Sequence, residues 1–78
     1  MSINTTVLSN LAPGEIGVVH ELTGGRGFMS RLAALGFTPG TKLIMVQNFD
    51  RGPVIVNIRD TRIALGRGEA ARVYVTKK

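Results

Sequence analysis

Apolar residues along this chain recur mostly with a period of two, and one stretch switches to a helical spacing. The runs Ile16 to Leu22, Lys42 to Asn48, Val54 to Arg59, Thr61 to Leu65 and Arg72 to Val75 are rich in β-branched and aliphatic residues and read as short strands. Val54, Val56 and Ile58 fall on one face of the third run. Thr61, Ile63 and Leu65 alternate with Arg62 and Ala64 in the fourth, and Val73 and Val75 point inward in the fifth. The first run is less regular. Ile16, Val18 and Leu22 share a face and Val19 takes the other, so Gly17 is expected to mark a bulge or a close backbone approach. The second run is apolar on both faces through Leu43-Ile44-Met45-Val46 and is expected to be covered on both, by the sheet interior and by the helix.

The helical spacing is Phe28, Leu32 and Leu35, which predicts a short helix over about 28–35 with that face docked. Its end is specified several times over. Gly36 can take the left-handed conformation at C′, which makes Leu32 and Phe37 the C3–C″ pair of a Schellman cap. Thr38 is pushed out of helical space by Pro39, and Pro39-Gly40 suits a type II turn leading into the next strand. Pro13-Gly14 repeats that turn. Gly24-Gly25-Arg26-Gly27 reads as a flexible loop before the helix; it matches neither the P-loop nor the dinucleotide fingerprint. Asp60-Thr61 is expected as a two-residue hairpin turn, pairing Arg59 with Arg62 and Ile58 with Ile63. Gly66 to Ala71 suits a single helical turn near 67–71. The elements together predict a mainly β fold, a small, partly closed antiparallel barrel of about five strands with one short helix. At 78 residues the chain is expected to form one domain, 1–78, with 1–6 and 76–78 frayed.

Composition narrows the chemistry. There are no cysteines, so neither disulfides nor thiolate ligands contribute, in keeping with a cytoplasmic location. The first six residues lack a basic, apolar secretory pattern, and the longest apolar run, Leu43 to Val46, is far too short to span a bilayer. Ten Lys and Arg against five Asp and Glu leave a net charge of +5, which favours anionic partners.

His20 is the only histidine, and Glu21 beside it is expected on the opposite face of the strand, so no metal-ligand set is expected. The carboxylates are scattered and the serines lack a nucleophile setting, so neither catalysis nor a cofactor is expected. Arginine placement carries more information. Arg51, Arg59, Arg62, Arg67 and Arg72 cluster in the C-terminal half, and the first four form a candidate basic patch for nucleic acid. The aromatics needed for base stacking are mostly taken up by the core, and only Phe49 is expected to be exposed, which disfavours that partner.

The blocks Leu11-x-Pro-Gly-Glu-x-Gly and Arg31-Leu-x-x-Leu-Gly-Phe-Thr-Pro-Gly-Thr, followed by Pro53-Val and by Arg59 through Ala71 to Val75, resemble the ferrous iron transport protein A (FeoA) family over residues 8 to 75. The resemblance implies an SH3-like barrel. It also implies a non-enzymatic cytoplasmic accessory to the membrane ferrous iron transporter FeoB, reached through that transporter's GTPase domain. The partner surface expected on this reading is Arg26, Arg31, Phe37 and Thr38, with self-association left open. Similar domains end metal-dependent transcriptional repressors, whose DNA-reading module has no counterpart in these residues.

Overall fold

The computed structural model describes residues 4–49 and 51–78. Among these, β1 (Thr5–Val7) is followed by a 3₁₀ turn (Leu8–Asn10), β2 (Ile16–Leu22), α1 (Arg26–Ala34), β3 (Lys42–Gln47), β4 (Val54–Ile58), β5 (Thr61–Leu65), α2 (Arg67–Ala70) and β6 (Val73–Lys77). All strand pairings are antiparallel, and the sheet order is β1-β6-β2-β3-β4-β5. The five expected strands are present, and a sixth, β1, joins the sheet edge.

That sixth strand corrects the expectation of frayed ends. Thr5 pairs with Thr76 and Thr6 with Val75, while the Lys77 and Lys78 N–H groups donate to the Asn4 and Ile16 carbonyls. Residues 1–3 lie outside the described residues. A polar, β-branched segment with few apolar anchors looks like a tail in isolation; here the ladder to β6 satisfies its backbone.

The inward faces of β4, β5 and β6 are those expected: Val54, Val56, Ile58, Ile63, Leu65, Val73 and Val75 are all buried, and among the described residues no polar or charged residue is. In β2 the buried face is that of Gly17 and Val19, with Ile16, Val18 and Leu22 only half-buried. Gly17 is a close-approach position, since a Cβ there would lie 3.1 Å from Leu11 Cδ1 and 3.3 Å from Val75 Cβ. The register between β2 and β6 then shifts between Val19 and Glu21, leaving His20 as the extra residue of a bulge.

β3 is covered on one face only. Leu43 and Met45 are buried, whereas Ile44 remains 39% exposed, so the helix does not lie over its outer side. The α1 helix starts two residues earlier than expected, taking in Arg26 and Gly27. Of its apolar stripe Leu32 is buried and Phe28 packs against the core, but Leu35 is 40% exposed. Leu35 is the C-cap residue, where the chain is already turning away from the helix axis.

The corner after α1 forms as its residues dictate. Phe37 N–H donates to the Leu32 carbonyl at 3.0 Å and Gly36 N–H to the Ala33 carbonyl at 3.0 Å, the two bonds of a Schellman motif, with Gly36 at φ 107°. Leu32 and Phe37 are both fully buried in the same core cluster. Thr41 N–H returns to the Thr38 carbonyl and Glu15 N–H to the Ala12 carbonyl, closing the two Pro-Gly turns.

The β4–β5 hairpin departs from the expected register. Ile58 pairs with Thr61 and Asn57 with Arg62, so the turn is Arg59-Asp60, both at positive φ (51° and 63°) as a type I′ turn requires. The two registers differ by a two-residue slip, which leaves every inward side chain inward. Turn chemistry decides between them: Asp tolerates the left-handed region, and a β-branched Thr does not.

Candidate interaction surface around helix α1 and the β4–β5 hairpin

Helix α1 is held to the sheet by Leu32 and Phe28 and flanked by two open grooves. One runs between the C-terminal end of α1 and the hairpin, lined by Leu35, Gly36, Ile58, Arg59, Arg62 and Ile63 among others, with a volume of about 620 Å³. The other, of about 480 Å³, lies between Met29 and Ala33 of the helix, Pro39 of the corner and Glu21-Leu22 of β2. Met29 and Leu35 stand at their rims as exposed large apolar residues.

The expected partner-contact residues divide sharply. Arg26 and Arg31 are exposed on α1 and Thr38 is half-buried at the corner. Phe37 is completely buried and supports the corner from beneath, so it offers no surface to a partner. Thr38 Oγ1 and Thr41 Oγ1 lie 2.8 Å apart and share a hydrogen bond across the turn. Arg31 forms an ion pair with Glu69, whose other oxygen accepts from the Gly66 N–H at 3.1 Å, so one carboxylate ties α1 to the start of α2.

The basic set also divides. Arg67 is a structural residue: Nη2 donates to Asn48 Oδ1 at 2.9 Å, and Nη1 donates to the Phe49 carbonyl and reaches the Gly52 carbonyl at 3.4 Å. Asn48 completes the arrangement by donating to the Ser9 and Leu11 carbonyls at 2.9 and 2.7 Å. Together the two side chains staple the 3₁₀ turn, the β3–β4 loop and α2. Sequence reasoning missed this pair, because only the tertiary fold brings Asn48 and Arg67 together; the one local hint was a polar residue at the end of an apolar strand. Arg72 lies over the Phe28 ring, 5.7 Å from its centroid. Arg51, Arg59 and Arg62 are exposed and make no ion pair or side-chain hydrogen bond among the described residues. Arg59 and Arg62 line one groove but sit diagonally, not directly opposite each other. Phe49 is 64% exposed, as expected.

The bulge at His20 overturns one local expectation. His20 Nε2 lies 3.7 Å from Glu21 Oε1, although neighbouring residues of a regular strand diverge. Both side chains are open to solvent, and among the described residues no three His, Cys, Asp or Glu side chains are grouped to hold a metal ion. The titration of Glu15 is displaced. The Ala12 N–H, donating to its Oε1 at 2.7 Å, is the main cause of a pKa below the usual carboxylate range, and Lys77 Nζ at 3.5 Å from Oε2 adds to it. No helix among the described residues is long and apolar enough to cross a membrane.

A six-stranded antiparallel sheet with a capping helix and exposed flanking grooves defines a small SH3-like module. The FeoA domain profile matches residues 6–77, and the chain belongs to the FeoA family. A protein of Methanocaldococcus jannaschii, provisionally named Fe(2+) transport protein A, is 39% identical over 62 residues, covering 80% of this chain and 74% of its own. A crystal structure of an iron uptake regulatory protein (FeoA) superposes with a TM-score of 0.90 at 34% identity, over 95% of this chain and 99% of that one. FeoA of Stenotrophomonas maltophilia, solved with zinc and described as an SH3 domain protein, gives a TM-score of 0.78 at 33% identity, over 90% and 88% of the two chains. A manganese-dependent transcriptional repressor shares the fold alone, with a TM-score of 0.88 at 18% identity and 44% of its length covered.

Proposed function

We propose that this chain is a non-enzymatic accessory of ferrous iron uptake that acts in the cytoplasm, by direct contact with the GTPase domain of the membrane ferrous iron transporter FeoB. Membership of the FeoA family carries the reading, and the names of its relatives, an Fe(2+) transport protein A and a candidate ferrous iron transport activating factor, point the same way. The surface agrees with it. Helix α1 spends only Leu32 as a fully buried anchor, leaving Arg26, Met29 and the C-cap residue Leu35 exposed, the last two each lining an open groove. Exposed apolar side chains rimmed by charge are a recurrent feature of protein-contact surfaces.

The test is retention of the soluble GTPase domain on immobilised protein, paired with Fe²⁺ uptake in cells lacking the gene. Retention and reduced uptake are expected, with Arg26→Glu or Met29→Glu weakening retention while the fold stays intact. Absence of retention together with normal uptake overturns the proposal.

A further inference from the structure

The free edge of β5 and the groove beside it form a second kind of surface. In a hairpin closed by a two-residue turn, the pair flanking the turn exchanges both backbone hydrogen bonds, and bonding then alternates along the ladder. Thr61, Ile63 and Leu65 therefore bond to Ile58, Val56 and Val54, and the N–H and C=O groups of Arg62 and Ala64 point away from β4. β5 is the last strand of the sheet order, and no backbone or side-chain group among the described residues bonds to these four groups. Arg62 and Ala64 both line the groove beneath the end of α1, whose apolar floor includes Leu35, Ile58 and Ile63.

The charge of this groove has one sign: both ionisable residues lining it are arginines, Arg59 and Arg62. Neither is engaged by another described side chain, in contrast with Arg31, Arg67 and Arg72. Arg59 also holds a left-handed backbone conformation that Asn or Gly would hold with less strain. The turn geometry itself has no need of arginine, so its guanidinium is available for another role.

We propose that β5 accepts an extended, acidic segment of a partner protein as an added strand. Its backbone bonds to Arg62 and Ala64, one apolar side chain lies against Leu35 and Ile63, and its carboxylates pair with Arg59 and Arg62. Strand addition supplies backbone hydrogen bonds, and alternate side chains supply selectivity. A second copy of this chain is a poor occupant, because edge-to-edge pairing of β5 brings Arg62 against like charge. The groove lining contains no aromatic side chain on which nucleic-acid bases would stack. The inference rests on the reading that the chain works through protein contact, and it names the chemistry of the contact.

Two synthetic peptides test it on the full chain, one alternating valine with glutamate and one alternating valine with lysine, followed by backbone NMR and amide hydrogen exchange. The glutamate peptide is expected to shift and protect the Arg62 and Ala64 amides and to perturb the Leu35 methyls, with no response to the lysine peptide. Arg62→Glu should invert the preference, and Arg59→Asn should weaken the glutamate peptide about tenfold without loss of folding. Equal responses to both peptides, or responses confined to β1 or to the Met29–Pro39 groove, overturn the proposal. So do concentration-dependent shifts along β5 without peptide, which identify a second copy, and displacement from the same amides by a single-stranded oligonucleotide. A GTPase domain that binds wild type and Arg62→Glu equally removes this inference and leaves the proposed function. Failure of that domain to bind, with the peptide result intact, removes the transporter and keeps the edge.

Discussion

Arg59 occupies a backbone position that most L-residues avoid. Its φ of 51° places it in the left-handed region, where a side chain with a Cβ crowds the following carbonyl. Asn carries the same restriction at lower cost and is common at this position of a type I′ turn. Arg59→Asn should therefore stabilise the fold by about 0.5–1 kcal/mol, seen as a higher urea midpoint at unchanged m. Glu15 makes a second prediction at this scale. Its folded-state pKa is depressed, chiefly by the Ala12 N–H and further by Lys77, so its stabilising effect is present above the unfolded-state value of about 4.3 and is lost as pH falls through the folded value. Glu15→Gln should flatten the loss of stability as pH falls below the unfolded-state value, as read from urea midpoints at each pH.

Among elements, the corner after α1 and the Asn48–Arg67 staple hold the fold by different physics. The corner depends on backbone conformation: Gly36 sits at φ 107°, and a Cβ there finds room, 3.5 Å from Ile58 Cγ2, but not a favourable torsion. Gly36→Ala should cost roughly 1–2 kcal/mol in equilibrium unfolding, with the helix signal otherwise retained. The staple depends on a forked donor. Arg67 addresses Asn48 Oδ1 and two loop carbonyls at once, and its removal leaves those acceptors to water. Arg67→Ala should cost about 1–3 kcal/mol, and Arg67→Lys should recover little of it because an ammonium lacks the planar fork. The Arg31–Glu69 pair joins two helices but is largely solvated, and it contributes much less.

At the scale of the molecule, a net charge of +5 on 78 residues gives a positive field. That field accelerates encounter with an acidic face more than it strengthens the final complex. On the proposed function, association with the transporter's GTPase domain should therefore slow markedly as salt is raised, with a much smaller change in dissociation rate, as surface plasmon resonance would show. The neutralising variant Arg59→Asn should reduce that salt dependence.

What the sequence determined by itself lies where neighbouring residues act on one another. The Gly36 cap, the Pro-Gly turns and the inward faces of β4, β5 and β6 follow from steric limits and a period of two, neither of which needs distant contacts. Only the tertiary structure decided the rest. The hairpin register was open because a two-residue slip buries the same side chains. The buried side of β2 turned on how closely Gly17 approaches Leu11 and Val75, and the bulge at His20 on its ladder to β6. Whether an arginine serves the fold or faces a partner depended on acceptors brought from elsewhere in the chain. Arg67 found Asn48 across 19 residues of sequence, and Arg59 and Arg62 found no such partner among the described residues. Long-range polar contacts of this kind leave no periodic trace in a sequence, and they separate the fixed arginines from the free ones.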